Sequence, residues 1–163
     1  MLGPSLSTAQ PRPNSYAQWR KYVSKQHSQR PPEAQVLVVD DHEPWRRWVC
    51  LELASQQHLR VVGEASEGLE AVRKACELKP DIILLDIGLP NLNGLEAATR
   101  IVQSNPDSKI VFLTTVKDRD IVQRVLAYGA TGYVLKSDAK TELLAAIAAV
   151  LQGQHFVSRH LGD

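Results

Sequence analysis

The sequence predicts a doubly wound α/β domain built on a five-stranded parallel sheet. Strand-length apolar runs and helix-length amphipathic segments alternate strictly from Gln35 onward. The apolar runs VLVV, DIILL and KIVFL do not alternate polar with apolar, so both faces of the sheet must be covered. Five strand signals and five helix signals occur, as (βα)5 requires, and right-handed crossovers leave few topologies for them.

The order begins with VLVVDD as a strand. EPWRRWVCLELASQQ follows as a helix, with Pro44 in its first turn and Trp45, Val49 and Leu53 at spacings of four along its core face. RVVGEAS reads as the second strand and GLEAVRKACELK as the second helix. DIILLDIGL after Lys79-Pro80 is the third strand, and GLEAATRIVQS the third helix. KIVFLTT, RDIVQRVLAYGA, GYVLKS and TELLAAIAAVLQG complete the alternation.

These elements define a domain over residues 34–155, an N-terminal extension over 1–33 and a C-terminal tail over 156–163. The extension is rich in Pro, Ser and Gln and reads as flexible. Within it, Ser15 can cap a short helix carrying Tyr16, Trp19 and Val23 on one face. The extension holds five Lys/Arg against one Glu, while residues 34–155 hold thirteen against sixteen acids. A mildly acidic body carries no electrostatic footprint for nucleic acid. The longest apolar run, Leu143 to Leu151, is nine residues, far short of the roughly twenty a membrane helix needs. With no signal-peptide pattern at the N-terminus, a cytoplasmic location and no membrane contact are expected. Cys50 and Cys76 have neither metal-site nor redox spacing and are expected to be small buried apolar residues.

In a parallel sheet of this kind, ligands gather at the carboxyl ends of the strands. Reading those ends in order gives Asp40 and Asp41, Glu64 to Ser66, Asp86, Thr114 and Thr115, and Lys136. Three carboxylates placed together repel one another unless a cation compensates. Magnesium, which takes hard oxygens and leaves room for phosphate oxygens, is the natural one, on Asp41 and Asp86 assisted by Asp40. An aspartate beside it can attack a phosphoryl group, and Asp86 has the central position. Lys136 can pair with the phosphate, and the Thr114 hydroxyl can donate to one of its oxygens. Pro90 fixes the loop after the third strand, and Gly94 allows close approach or positive φ before the next helix. His42, beside the acidic pair, reads as a solvated or capping residue.

Taken together, VLVVDDHEPWRR, PDIILLDIGLPNLNG, FLTT and GATGYVLKS resemble the successive motifs of response-regulator receiver domains, and look closest to the NarL/FixJ-type subgroup. The resemblance covers about three quarters of the chain. It implies a flavodoxin-like fold with strand order 2-1-3-4-5. It further implies that Asp86 accepts phosphate from a histidine kinase or phosphotransfer protein. Asp40 and Asp41 would form the metal-binding pair with Asp41 the direct ligand, and the backbone carbonyl of Gly88 a further ligand. Thr114 and Lys136 match the phosphate-contacting hydroxyl and lysine, and Tyr133 the aromatic switch. On this reading Thr114 moves toward the phosphate and Tyr133 turns into the space it leaves. The surface made by the fourth helix, fifth strand and fifth helix is remodelled, a homodimer being one outcome.

The subgroup normally carries a DNA-binding domain after the receiver, whereas this sequence ends at HFVSRHLGD. Output is therefore expected through a partner protein, a self-interface or a phosphate-sink role rather than direct nucleic-acid contact, a truncated regulator or fragment being the equal alternative. Two other functions compete: a Mg²⁺-dependent phosphohydrolase, for which Gly88 cannot supply the second acid such enzymes usually have, and an interaction module with a relic pocket.

Overall fold

A computed structural model describes residues 33–161. The expected helix near Ser15 and the rest of the N-terminal extension through residue 32 lie outside the described residues. β1 (Ala34–Val39), β2 (Leu59–Ala65), β3 (Ile82–Leu85), β4 (Lys109–Thr114) and β5 (Gly132–Leu135) are the five anticipated strands. Between and after them lie α1 (Glu43–Ala54), α2 (Gly68–Leu78), α3 (Gly94–Ser104), α4 (Arg119–Ala127) and α5 (Ala139–Leu151). All strand pairings are parallel, and the order within these five is 2-1-3-4-5.

The sheet nevertheless has six strands rather than five. β6 (Phe156–Val157) falls in the stretch read as a tail and pairs in parallel with β5, Gly132 opposite Phe156 and Tyr133 opposite Val157. It is held by main-chain bonds, Phe156 N–H to the Thr131 carbonyl at 3.1 Å and Ser158 N–H to the Tyr133 carbonyl at 2.9 Å. The Ser158 hydroxyl receives the Leu135 N–H at 2.9 Å and donates to Glu142 at 2.7 Å, tying the segment to α5.

Helix boundaries follow local chemistry. Pro44 occupies the first turn of α1, where its missing N–H costs nothing. The Asn93 side chain accepts the Glu96 N–H at the start of α3, and that of Asp118 accepts from Asp120 and Ile121 at the start of α4. α2 stops at Lys79, which takes a left-handed conformation (φ 46°) just before Pro80.

Side-chain alternation along the strands splits the core in two. Val36, Val38, Ile82, Leu84, Val111, Leu113 and Val134 face α1 and α5. Leu37, Val39, Ile83, Leu85, Ile110, Phe112 and Tyr133 face α2, α3 and α4. On this second face a cleft of about 340 Å³ opens between α3 and α4, reaching Ile110 and Phe112 on β4. Cys50 is half-buried and Cys76 exposed, so the expectation that both are buried fails. Cys76 follows the core-facing Ala75 and sits on the outer side of α2. Among the described residues no helix is long and apolar enough to cross a membrane.

Candidate functional site

Five strands ending at one edge deliver their polar tips to one place. Asp40 follows β1, and its N–H bonds the Ala65 carbonyl at the end of β2 at 3.0 Å. Asp86 follows β3, and its N–H bonds the Val39 carbonyl at 3.0 Å. Carboxylate oxygens of Asp40, Asp41 and Asp86 lie within 4.8 Å of one another. Asp40 and Asp86 are buried, and Asp41 is exposed. A hard-oxygen cluster of this size, with one member open to solvent, suits a small divalent cation such as magnesium.

Lys136 follows β5, anchored by its N–H to the Thr114 carbonyl at 2.9 Å. Its Nζ lies 2.5 Å from Asp40 Oδ2 and 3.1 Å from Asp86 Oδ2. One ammonium therefore serves two buried carboxylates, and the electrostatics divide accordingly. Burial alone would lower the Lys136 pKa, yet its bond to Asp40 and the charge of Asp86 outweigh this and raise it. Burial raises the Asp40 carboxyl above its ordinary value, more than Lys136 and the His42 N–H, at 2.9 Å from Oδ1, pull it down. Asp86 Oδ1 accepts the Ile87 N–H at 2.8 Å.

The loop after β3 is shaped by Gly94. A Cβ at this position would lie 1.9 Å from the Asp86 carbonyl oxygen, so close approach, not positive φ, is what the glycine provides. Gly88, two residues past Asp86, is exposed at the rim, and a side chain there would meet nothing within 4 Å. His42 is exposed and its side chain does not cap α1, which leaves the solvated reading of it.

Thr114 and Tyr133 are not part of the carboxylate cluster but meet at one residue beside it. The Thr114 hydroxyl accepts the Val116 N–H at 3.3 Å, and the Tyr133 hydroxyl donates to the Val116 carbonyl at 2.8 Å. Burial, with the charges of Asp118 and Asp86 adding to it, pushes the phenol up to about 12, so it remains a donor at neutral pH. The Tyr133 ring is fully buried, 6.2 Å from Phe112. In this structure the Tyr133 side chain is turned inward.

Two residues at the site escaped the sequence reading. Arg46 donates from Nη1 to the Asp40 carbonyl at 2.7 Å and from Nε to Glu64 at 2.9 Å, bracing the acidic loop against the end of β2. Trp45, read as a core residue of α1, also places its ring 5.5 Å from Lys136 Nζ. The available signal was their position, within one turn of the acidic pair.

Comparison with known proteins places the family and the fold. The family profile of the response regulator receiver domain matches residues 36–148. Response regulator GacA of Pseudomonas viridiflava is 41% identical over 128 residues, 78% of this chain and 60% of that protein. The chain thus spans about 60% of the length of this relative. A LuxR-family two-component response regulator from Aurantimonas sp. SI85-9A1 superposes with a TM-score of 0.76 at 32% identity, over 79% of this chain and 92% of that one. The isolated receiver domain of RcsB from Salmonella enterica serovar Typhimurium, solved in the presence of the phosphomimetic BeF3⁻, gives 0.73 at 25% identity, over 78% and 94%. With a matching profile over most of its length, and with the fold of these relatives, the chain belongs to the response regulator receiver domain family of two-component systems.

Proposed function

We propose that the domain takes a phosphoryl group from a histidine kinase or phosphotransfer protein onto Asp86 and thereby switches a protein-interaction surface. The observation that carries this reading is the Asp86 carboxylate at the strand end, within ion-pair distance of Lys136 and in one cluster with Asp40 and Asp41. An oxygen of Asp86 attacks phosphorus as the phosphorus–nitrogen bond of the donor phosphohistidine breaks. The imidazole leaves and takes up a proton, and an aspartyl phosphate remains.

Asp41, Asp86 and the Gly88 carbonyl, supported by Asp40, would hold Mg²⁺. When bound, it supplies positive charge against the phosphoryl oxygens. Lys136 stands beside Asp86 to pair with the transferred group, and Thr114 to donate its hydroxyl to it. A Thr114 hydroxyl turned to phosphate no longer accepts the Val116 N–H, which frees one end of the residue whose carbonyl Tyr133 grips. Phosphorylation then reaches the α4–β5–α5 surface through Val116, and only these differential contacts can shift the equilibrium. A partner protein or a second copy would read that surface. That the RcsB receiver was solved in the presence of a phosphomimetic supports reading this domain as a phosphoacceptor.

Incubation with acetyl phosphate and Mg²⁺ tests this. Stoichiometric labelling that disappears in Asp86→Asn and without Mg²⁺ is expected. Continuous phosphate release at high rate would point to a phosphohydrolase, and absence of labelling to a relic pocket; either result overturns the proposal.

A further inference from the structure

Trp45 stands in the first turn of α1, one residue after Pro44, on the face that carries Val49 and Leu53 into the core. It is half-buried and packs against the core cluster under α1 and α5. Core filling alone is a poor account of it. Its Nε1 is buried and pairs with no protein group, a cost that Phe or Leu at this position would not carry. What an indole provides beyond Leu is its π-face, and among aromatic rings it attracts an ammonium most strongly. The Lys136 ammonium lies 5.5 Å from the ring centroid, within cation–π range, and the ring packs against Trp48 at 4.9 Å with a 35° tilt.

Lys136 is therefore held from two sides, by the carboxylates of Asp40 and Asp86 and by the face of Trp45. The two holds differ in how they meet a divalent cation. Carboxylate oxygens are hard ligands, for which the cation and the ammonium compete. An indole face is no ligand for magnesium and keeps its attraction for the ammonium.

We propose that Trp45 is a positioning residue for Lys136, retaining its ammonium beside Asp86 when the carboxylates turn toward a bound divalent cation. The proposal rests on the reading of Asp86 as phosphoacceptor. It adds a residue outside the carboxylate, hydroxyl and lysine set and assigns it a task in the metal-loaded state.

The experiment uses Mg²⁺ and beryllofluoride as probes on the whole chain labelled with carbon-13 lysine. In the parent, the Lys136 ε-methylene signal is expected upfield of the exposed lysines through the ring current of Trp45, and to stay upfield with Mg²⁺ and beryllofluoride. Trp45→Leu removes the shift. It also weakens Mg²⁺ binding by calorimetry about 3- to 10-fold, because Lys136 then leans wholly on the oxygens the ion needs. Trp45→Phe keeps an upfield shift and Mg²⁺ affinity within about twofold of the parent. Added to Lys136→Met, Trp45→Leu changes Mg²⁺ affinity no further.

An unshifted Lys136 signal in the Mg²⁺-loaded parent overturns the proposal. So does an equal loss of Mg²⁺ affinity from Trp45→Leu with and without Lys136, which marks a merely structural role. Should Trp45→Leu fail to fold, the parent spectrum and Trp45→Phe still decide. Failure of acetyl phosphate to label the parent removes the phosphoacceptor reading, while the Mg²⁺ and chemical-shift results still decide whether Trp45 holds Lys136.

Discussion

The two faces of the sheet are packed to different purposes. The central strands are buried on both faces, and toward α1 and α5 they meet the aliphatic side chains of Val49, Leu53, Leu143, Ile147 and Val150. Toward α2, α3 and α4, the strands carry the larger rings of Phe112 and Tyr133, and the cleft between α3 and α4 opens onto Ile110 and Phe112. Densely packed interiors are stiff, whereas the open cleft leaves side chains of this face room to move. The first face sets the fixed charges: α1 carries Trp45 and Arg46 against Lys136 and Asp40. The second carries Val116, to which both Thr114 and Tyr133 are bonded. The residues under α1 brace the charges of the site, whereas on the proposed function Val116, ahead of α4, passes its state on.

Removing the same side chain from each face breaks or supports this contrast most strongly. Leu143 on α5 is fully buried, and Leu143→Ala should cost about 2–5 kcal/mol, since its neighbours cannot close the void. Leu95 on α3 is half-buried at the lip of the cleft, so Leu95→Ala should cost about 1 kcal/mol. Urea midpoints at constant slope measure both. Equal losses would mean that the cleft face is packed as tightly as its opposite.

Enlarging a small residue reverses the logic at smaller magnitude. Ala146 on α5 has no exposed surface, and Ala146→Leu should destabilise by about 1–3 kcal/mol through overpacking. Ala98 on α3 lines the cleft, where a larger side chain has space, so Ala98→Leu should leave the urea midpoint unchanged or raise it. A comparable loss at Ala98 would show that the opening is not available to side chains.

The contrast between faces was only half legible in the sequence. Apolar runs such as VLVV and DIILL announce burial on both sides, and a parallel sheet then places Asp40, Asp41, Asp86, Thr114 and Lys136 on one edge. Strand ends converge by topology, so a one-dimensional reading finds them. β6 gave no such signal, because two residues have no periodicity and their pairing rests on main-chain bonds and the Ser158 hydroxyl. Trp45 was hidden for the opposite reason. Its spacing with Val49 and Leu53 reads as core, and that core reading conceals the buried, unpaired Nε1 and the ring's approach to Lys136. The Tyr133 rotamer depends on the Val116 carbonyl, which only the folded loop after β4 brings within reach. Cys76 was misjudged from residue type, whereas its position on α2 decides its exposure.

The smallest change probes the link between site and reporting face. Tyr133→Phe keeps the buried ring and its contact with Phe112 but removes the hydroxyl that grips the Val116 carbonyl. A single neutral hydrogen bond contributes about 1 kcal/mol, so global stability should fall by roughly that amount. The location of the loss matters more than its size. Because Val116 begins the segment leading into α4, backbone hydrogen exchange should quicken more in α4 than in α5, which packs on the other face and follows only the global loss of stability. Acetyl phosphate labelling of Asp86 should persist, since the Tyr133 hydroxyl lies outside the carboxylate cluster. The phosphorylation-dependent shifts at α4 should shrink, because Thr114 then acts on a residue that no longer holds the ring. Exchange that quickens equally in α4 and α5 would show that the two faces respond as one unit.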